Sequence, residues 1–328
     1  MRHLFVVDPL ERLLPDADST IAFLREAQAR GHAIEVCGVD RLGVDVGGKP
    51  RALATPLEVF EGPAWYRADP ARVQTLDQYD VVWMRKDPPF DLEYLFATHI
   101  LSLVPERTLV VNEPRALRDA NEKLFALHFP QFCPETVVSR DMSELLEFRA
   151  RLGGEMVVKP LDGAGGEGVF HITGSDRNAQ AILEVSTGRG TRYLMAQRYI
   201  PEVRRGDKRI ILVEGEPAGA VLRVPADSEA RANFHAGGRA DRTDLTARDR
   251  EICTAVGAAL REIGVVFAGI DVIGDWLTEV NVTSPTGIRQ ISELEGVTIE
   301  VQVLDAVERR VAGRRARPPQ PRLHPNHP

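Results

Sequence analysis

VFAGIDVIGDWLTEVNVTSPTGIRQI, residues 266–291, is the stretch of sequence that decides how the C-terminal part of the chain folds. Runs of Val, Ile and Phe on both sides of Gly274-Asp275 are typical of two β-strands joined by a tight turn. Three residues able to bind a hard cation, Asp271, Glu279 and Asn281, interrupt these apolar strands. Carboxylates are rarely buried unless they are paired or bound to a metal, so their presence here needs an explanation.

The length of the turn decides whether these side chains meet. Glu279 and Asn281 are two residues apart on one strand and therefore share a face. With a three-residue loop, 274–276, Asp271 faces Glu279, whereas a two-residue loop puts the two carboxylates on opposite faces. Oxygen ligands of this kind suit Mg²⁺, which shares its coordination shell with water and phosphate. A hairpin with a merely solvated polar face is the alternative, and this segment alone favours neither.

Composition and charge exclude several classes of protein. The 328 residues are 43% hydrophobic and 27% charged, which predicts a large core divided among two or three domains. The net charge of −7 argues against nucleic acid or an anionic membrane as the main partner. Cys37, Cys133 and Cys253 lack any CxxC spacing and are typical of core residues in a reducing compartment. With no apolar run of signal-peptide or membrane-span length, we expect a cytoplasmic protein.

The first 120 residues show the alternation of an α/β fold. Strands are predicted at 4–7, 33–39, 80–84 and 108–111. The helix predicted at 19–30 connects the first two strands, and this β-α-β order implies parallel pairing. We therefore predict a Rossmann-like parallel α/β domain over residues 1–120, whose ligands lie beyond the carboxyl ends of the strands.

The remaining chain predicts two α+β subdomains, over residues 121–201 and 202–312. Pro114 to His128 is predicted to form one helix at the start of this region. Residues 313–328 are rich in Arg and Pro with almost no large apolar side chain, and they predict a disordered basic tail.

Residues 157–168, VVKPLDGAGGEG, contain a Gly-x-Gly-x-x-Gly pattern. A dinucleotide-binding fold requires a helix after this pattern, but residues 169–172 are β-type, so that interpretation fails. What remains is a glycine-rich loop between two strands, whose backbone N–H groups can close over phosphates. Lys159, at the end of the preceding strand, is placed to reach the same anion. An ordinary hairpin turn is the structural alternative.

Arg209 and Arg223 fall in predicted strands that should be half buried. An unpaired guanidinium is costly there, so both are expected to have anionic partners. The long polar segment 225–241, which contains Arg231, follows these strands. A long segment without secondary structure is typical of a lid or of disorder, and the neighbouring basic residues favour a lid.

These features, in their order along the chain, resemble the ATP-grasp superfamily. More narrowly, the sequence resembles the bacterial glutathione synthetases over residues 1 to about 312. The motifs that carry the likeness are WMRKDPPFD (83–91), NEKLF (121–125), KPLDGAGG (159–166), AGGR (236–239), GIDVIGD (269–275) and LTEVNVTSP (277–285).

The resemblance implies a role for individual residues. ATP would be bound by Lys123, Lys159, Asp162, Gly163, Gly165, Gly166, Gln197, Tyr199, Ile200 and Asp207. Within that set the lysines would meet the phosphates, the loop would cover them, Gln197 to Ile200 would meet the adenine and Asp207 the ribose. Two Mg²⁺ ions, with Mn²⁺ as a substitute, would be held by Asp271, Glu279 and Asn281. The implied catalytic residues are Arg209, Lys159 and Arg231. The implied peptide and acceptor residues are Arg85, Arg223, Ser284 and Thr286.

The implied activity is ATP-dependent ligation of γ-glutamylcysteine and glycine through an acyl phosphate. The implied assembly is a homotetramer whose partners are small molecules rather than nucleic acid or membrane. Two alternatives stay open: an ATP-grasp ligase with a different amine acceptor, and a non-catalytic nucleotide-binding regulator like synapsin.

The sequence departs from the family pattern at two places. Ala232 stands between Arg231 and Asn233 where the pattern has Gly, which would slow closure of a lid because Ala is less permissive. Gln290, and then Ser292, stand where the pattern has Glu after Ile-Arg. Loss of that negative charge makes the acceptor preference the point at which this chain can differ from the family.

Overall fold

Three β-sheets, with helices packed on them, follow one another along the chain. The structure is a computed structural model that describes residues 1–226 and 237–316. Its helices in that part of the chain are α1 Ser19–Ala29, α2 Leu92–Leu101, α3 Pro114–Asp119, α4 Met142–Arg151, α5 Ala179–Ser186, α6 Ala247–Glu262, α7 Ile288–Glu295 and α8 Ile299–Arg315.

The first sheet belongs to the N-terminal 111 residues. Its strands are β1 Arg2–Val6, β2 Ala33–Cys37, β3 Leu42–Val44, β4 Pro50–Val59, β5 Tyr66–Ala68, β6 Arg72–Thr75, β7 Val81–Met84 and β8 Leu109–Val111. Strands β2, β1, β7 and β8 pair in parallel, as the β-α-β order predicts. Strand β4 pairs antiparallel with β2 and carries β3, β5 and β6, an extension that was not predicted. The sheet is therefore mixed, with a parallel part and an antiparallel extension.

The second sheet lies in residues 136–198. Its strands are β9 Thr136–Ser139, β10 Met156–Pro160, β11 Phe170–Ile172 and β12 Leu194–Arg198. They pair antiparallel in the order β11-β10-β12-β9. Helices α4 and α5 cover one face, and Asp141 caps α4 by accepting from the backbone N–H groups of Ser143 and Glu144. Leu145, Phe148 and Met156 belong to a core that this part of the chain does not share with the rest.

The third sheet is antiparallel in the order β15-β14-β13-β16-β17. Its strands are β13 Asp207–Val213, β14 Glu216–Val224, β15 Arg239–Asp241, β16 Phe267–Ile273 and β17 Trp276–Asn281. Helix α6 begins at a capping box formed by Thr246 and Asp249, which satisfies two backbone N–H groups at once.

Asn112, at the end of β8, joins the first sheet to the third. Its side-chain Nδ2 donates to the carbonyls of Phe267 and Val282 over 2.8 and 2.7 Å. Its Oδ1 accepts from the backbone N–H groups of Val266 and Phe267 over 2.9 and 3.1 Å. All four hydrogen-bonding positions of the buried amide are used, so the two sheets are held at a fixed distance.

Two predicted elements are wrong in extent. The helix that starts at Pro114 ends at Asp119, because the Asn121 side chain accepts from the backbone N–H groups of Lys123 and Leu124 and turns the chain. Residues 288–291 open a helix, α7, rather than continuing the hairpin. The first change directs the chain toward residues 157–168, since Asn121 Nδ2 donates to the Leu161 carbonyl over 3.0 Å, and in the second change α7 packs against β14.

Helix α8 also continues further than predicted, to Arg315, three residues into the segment expected to be a disordered tail. Arg315 pairs there with Asp80 over 2.5 Å. The rest of that tail, 317–328, and residues 227–236 of the expected lid, including Arg231, lie outside the described residues. Within the described ranges, no helix has the length and apolar character needed to cross a membrane. The three cysteines are buried and unpaired, as expected.

Candidate active site

A cavity of about 450 Å³ lies where the three sheets meet. It is lined by most of the residues singled out from the sequence. These are Lys123, Lys159, Asp162, Gly163, Gly165, Gly166, Gln197, Tyr199, Ile200, Asp207, Arg209, Arg223, Asp271, Glu279, Asn281, Ser284 and Thr286. Residues that are far apart in sequence thus converge on one space, which an ordinary set of solvated turns would not produce.

The hairpin β16–β17 brings its polar side chains together by a route that was not predicted. The turn is the two-residue Gly274-Asp275, since Ile273 pairs with Trp276. By turn length alone the two carboxylates would point to opposite faces. A bulge at Thr278 adds one residue to β17, so that Asp271 pairs directly with Glu279. The extra strand residue has the same effect as a third loop residue would have had.

Asp271 is buried in a network of charges. Arg209 Nε lies 2.5 Å from its Oδ1 and Arg209 Nη2 lies 2.9 Å from its Oδ2. Arg223 Nη2 lies 3.0 Å from Oδ2, and Asn281 Nδ2 donates to the same oxygen over 3.3 Å. Burial opposes ionisation of Asp271, but the two guanidinium groups outweigh it and hold its pKa well below the usual range. The expectation that both arginines have anionic partners is confirmed.

Asp207 extends the network on its other side. Its Oδ2 lies 2.5 Å from Arg223 Nη2, while its Oδ1 is buried without a hydrogen-bond partner. Burial raises the pKa of Asp207 to about 6, and the neighbouring charge of Asp271 acts in the same direction against the effect of Arg223. This carboxylate is therefore the less firmly ionised of the two.

Lys159 links the second sheet to the third. It lies at the end of β10, and its Nζ is 3.7 Å from Glu279 Oε1. The ligase hypothesis would fail if the carboxylates of Asp271 and Glu279 faced away from each other and from Lys159. In the structure Asp271 and Glu279 are paired across the hairpin, and Lys159 contacts Glu279. Two carboxylates and an amide oxygen form a donor set that suits a hard divalent cation. In the described residues no cluster of three or more His, Cys, Asp or Glu side chains has the geometry of a metal site.

The glycine-rich loop follows Lys159 and covers one side of the cavity. Gly165, Gly166 and Gly168 have φ values of 61°, 77° and 69°, a region that other residues adopt at a cost. Lys123 Nζ donates to the carbonyl of Gly163 over 2.6 Å. The loop is therefore held to the turn after α3, and three of its glycines, Gly163, Gly165 and Gly166, line the cavity.

A flat, partly apolar part of the cavity lies beside β12. The rings of His171 and Tyr199 stack with centroids 3.9 Å apart and planes at 13°. Gln197 is buried and donates from Nε2 to Thr136 Oγ1 over 3.0 Å, and Ile200 is buried beside it. An aromatic base could lie against these groups.

Arg85 does not line the cavity. Its guanidinium is buried behind the wall, where it donates to Thr20 Oγ1 over 3.2 Å and to the carbonyl of Pro285 over 3.3 Å. Ser284 Oγ in turn donates to the Arg85 carbonyl over 3.3 Å. Burial lowers the pKa of Arg85. Its contacts fix the segment 284–285, which does form part of the wall.

Two carboxylates in the wall, Glu122 and Asp87, were not singled out from the sequence. Glu122 accepts from Thr283 Oγ1 over 2.6 Å, and burial raises its pKa, as does the charge of Glu279. Both residues stand next to basic residues inside quoted motifs, NEKLF and WMRKDPPFD. Their position beside these basic residues was the only indication in the sequence that they could belong to the site. Neighbouring residues in a chain point in different directions, so the sequence does not show which of them faces the cavity.

A glycine loop, paired lysines and an acidic hairpin around one interdomain cavity define an ATP-grasp ligase. Solved structures with this fold include D-cycloserine synthetase DcsG, with a TM-score of 0.66 and 18% identity over 94% of this chain and 99% of that one. Another is the ATP-grasp ligase PsnB complexed with precursor peptide PsnA2 and AMPPNP, with a TM-score of 0.60 and 18% identity over 95% and 98%. At these identities the likeness concerns the fold alone.

Sequence relatives are much closer. Two family models match, the prokaryotic glutathione synthetase N-terminal domain over residues 1–118 and its ATP-grasp domain over residues 122–296. The glutathione synthetase of Gloeobacter violaceus is 47% identical over 312 residues, 93% of this chain and 96% of the relative. That of Synechococcus elongatus is 47% identical over 319 residues, 94% and 98%. The chain belongs to the prokaryotic glutathione synthetase family, and it is an ATP-dependent carbon–nitrogen ligase.

Proposed function

We propose that this ligase joins γ-glutamylcysteine to glycine, with conversion of ATP to ADP and phosphate, and so forms glutathione. The observation that carries the proposal is the apposition of Lys159, Glu279 and Asp271 in one cavity beneath a glycine-rich loop. The names of the relatives, at 45–47% identity over about nine tenths of the chain, support the choice of substrates.

The cysteine carboxylate of the dipeptide is a poor electrophile. Transfer of the γ-phosphoryl group of ATP to it gives an acyl phosphate, which the amine of glycine attacks with loss of phosphate. Lys123, Lys159 and Arg209 provide positive charge for the transferred group and hold it in position. The loop 162–168 keeps water away from the acyl phosphate, which would otherwise hydrolyse. Arg231 stays a predicted contributor from the lid segment.

Asp271, Glu279 and Asn281 are the residues that we propose to hold the two Mg²⁺ ions, with Mn²⁺ as a substitute. Their oxygen donors and mutual placement fit a hard cation that completes its shell with phosphate oxygens and water. Bound there, the metal would supply charge neutralisation at the triphosphate. The protein's own part is to keep Asp271 ionised, and the low pKa of Asp271 serves this.

For the nucleotide we propose that adenine lies against Tyr199 and Ile200, with Gln197 at its edge. Asp207 keeps a free buried acceptor, Oδ1, and is proposed to meet the ribose. Asp162, Gly163, Gly165 and Gly166 are proposed to contact the phosphates. The peptide and acceptor are proposed to meet three residues of the cavity lining, Ser284, Thr286 and Arg223.

We further propose a cytoplasmic homotetramer. Helix α2 exposes Leu92 and Phe96, which are 68% and 60% exposed and lie one helical turn apart. Large apolar side chains in a row on one helix face are typical of a surface that another subunit covers.

The test of the ligation is phosphate release by the purified protein. Phosphate should appear from ATP only when both γ-glutamylcysteine and glycine are present, and glutathione should form in equal amount. Release that ignores glycine would refute the proposed acceptor. Assays with a panel of other small amines test whether this protein, which has Gln290 where the family pattern has Glu, prefers a different amine acceptor. Gln290 lies on α7 and does not line the cavity.

A further inference from the structure

Asp87 is a carboxylate in the cavity wall that has no basic ion-pair partner among the residues that the structure describes. It follows β7 at the carboxyl end of the first sheet and faces the cavity beside Ser284. Within the described residues, no Lys or Arg nitrogen lies within 4.0 Å of its carboxylate. The nucleotide, metal and phosphoryl-transfer roles already proposed make no use of it.

The two cations nearest along the chain are engaged elsewhere. Lys86 Nζ donates to the backbone carbonyl of Asp87 over 2.9 Å and lies 3.6 Å from Asp8 Oδ1. Arg85 is directed away, to Thr20 and to the Pro285 carbonyl. The backbone N–H of Asp87 donates to Asp8 Oδ2 over 2.7 Å, which fixes the Asp87 backbone but leaves its carboxylate to the cavity.

The surroundings of Asp87 disfavour its negative charge. Burial raises the pKa of Asp87, and the carboxylates of Asp18 and Asp8 act in the same direction. A hydrogen bond from Ser284 and the charge of Arg85 oppose this only in part. A carboxylate held at such a cost and directed into a binding cavity is a site that a cationic ligand group would complete.

Both cations and carboxylates line the cavity. Its cationic part, formed by Lys123, Lys159 and Arg209, suits a triphosphate and a substrate carboxylate. Its Asp87 part suits an ammonium group. A γ-glutamyl dipeptide has a carboxylate at one end and an α-ammonium group at the other, so it matches both parts at once.

We propose that Asp87 binds the α-ammonium group of the γ-glutamyl residue and thereby selects γ-glutamyl dipeptides as the acyl donor. This inference rests on the proposed function. Ser284 lies beside Asp87 in the same wall of the cavity, and its hydroxyl holds the Arg85 carbonyl two residues before Asp87. The cation completes a pairing that the described residues leave open.

The amine of glycine is the other candidate cation, and chemistry argues against it. An ion pair with a carboxylate stabilises the protonated amine. The attacking amine must give up its proton to become a nucleophile, so a carboxylate that stabilises its protonated form would slow the second step. The α-ammonium group takes no part in bond formation and carries no such penalty.

The experiment combines a protein change with a substrate change. Wild type and Asp87→Asn are compared with γ-glutamylcysteine and with N-glutarylcysteine, which lacks only the α-amino group. Asp87→Asn should lower kcat/KM for γ-glutamylcysteine roughly 10- to 100-fold, as expected for loss of a charge-assisted hydrogen bond. For N-glutarylcysteine the change should be less than about threefold, and the KM values for ATP and glycine should stay as in wild type.

Controls separate this role from a structural one. Glu93→Gln, an exposed carboxylate six residues away on α2, should leave all constants unchanged. Because burial and the neighbouring carboxylates disfavour the Asp87 charge, Asp87→Asn should keep or raise the Tm, and a marked fall would instead indicate a structural role. Equal losses with both donors, or a selective rise in the KM for glycine, would overturn the proposal.

The proposed function can fail separately. If wild type does not turn over γ-glutamylcysteine and glycine, calorimetry can still test the role of Asp87. It measures the binding of the two donors to wild type and to Asp87→Asn. Dipeptide binding that weakens in the variant, with no effect on N-glutarylcysteine, supports the role of Asp87. Equal Kd values in the two proteins contradict it.

Discussion

Arg209 on β13 and Asp271 on β16 are paired residues of adjacent strands and form a two-point ion pair, Nε to Oδ1 at 2.5 Å and Nη2 to Oδ2 at 2.9 Å. The carboxylate proposed to bind Mg²⁺ is thus already compensated by the arginine proposed to act on the transferred phosphoryl group. Arg223 holds the same carboxylate from the next strand. The strand register therefore couples the proposed metal ligand to the proposed catalytic cation before any substrate binds.

Arg209→Lys tests this coupling. Lysine keeps the positive charge beside Asp271 but loses the planar two-point geometry. We expect kcat to fall roughly 100-fold or more, with less than a threefold change in the KM for ATP, because the lost contact is made mainly in the transition state. Arg261→Lys, at a more exposed arginine that pairs with Glu216, is the matched control. Equal losses in kcat and in ATP affinity would show that Arg209 is only a binding group.

Glu279→Gln should remove catalysis and leave the fold. The Glu279 side chain is 23% exposed, and its ion pair is the 3.7 Å contact with Lys159, so the Tm should change by no more than about 2 °C. Loss of a metal carboxylate should lower kcat by about 10²- to 10³-fold. Steady-state kinetics at saturating Mg²⁺ and a thermal melt check both parts. Glu293→Gln, at an exposed position on α7, should change neither, and a Glu279→Gln enzyme with near-normal kcat would remove Glu279 from the metal site.

Gly163→Ala should weaken ATP binding through the loop. An added Cβ would lie 2.7 Å from Pro160 Cγ and 3.0 Å from the Glu167 carbonyl, so the loop must shift, and with it the carbonyl that accepts from Lys123. We expect the KM for ATP to rise roughly tenfold, the equivalent of an overpacking cost of about 1.4 kcal/mol.

The control is a glycine with free space around it. Gly313 lies in α8 with nothing within 4 Å of an added Cβ. Gly313→Ala should therefore raise the stability by about 0.5–1 kcal/mol and leave the KM for ATP unchanged. An unchanged KM in Gly163→Ala as well would mean that the loop does not meet the phosphates.

Phe96→Asp should disrupt the proposed tetramer. Phe96 lies on the exposed apolar face of α2, and a carboxylate there would be buried unpaired in a subunit contact. Light scattering should show dissociation, with circular dichroism unchanged. Val185→Asp, at a position 77% exposed on α5, provides a matched change on another surface. Dissociation by Val185→Asp but not by Phe96→Asp would move the contact to α5.

Many residues of the candidate site could be predicted because they lie in short sequence motifs. That Arg209 and Arg223 need anionic partners could be predicted because both lie in strands that should be half buried. The glycine-rich loop could be predicted because the sequence on both sides of it is typical of β-strands. The two-residue turn at Gly274-Asp275 was weighed as one of two cases. What turn length could not show was the bulge at Thr278, because a bulge depends on how the partner strand pairs.

Other features depend on contacts between distant segments. The chain leaves its helical path after Asp119 because of the Asn121 side chain, a local competition that periodicity does not report. The antiparallel strand β4 was missed although its burial alternates, because its inward positions begin with Pro50, Ala52 and Ala54 rather than large apolar residues, and Pro56 interrupts the pattern. That Arg85 turns behind the wall while Asp87 faces the cavity depends on the position of Pro285, 200 residues away.

Acid stability gives a last prediction, which depends on His3. His3 is fully buried on β1, accepts from Trp83 Nε1 at its Nδ1 over 3.0 Å and stacks on His32. Burial lowers the pKa of His3 to about 3, and the charges of His32 and of the N-terminus add to the effect. The folded-state pKa is below the unfolded value of 6.5, so unfolding takes up a proton between these two values. The stability that neutral His3 confers is complete above pH 6.5 and is lost as the pH falls toward 3.

We expect the free energy of unfolding to fall in this window by up to about 1.4 kcal/mol per pH unit for this one proton. His3→Gln keeps an amide oxygen as acceptor for Trp83 but removes the titrating group. The plot of its unfolding free energy against pH should therefore be less steep, by the slope that one proton contributes. His99→Gln, at an exposed histidine of α2, should leave the slope as in wild type. Urea titrations at several pH values give the slopes. Parallel curves for wild type and His3→Gln would show that His3 is protonated in the folded protein at the same pH as in the unfolded chain.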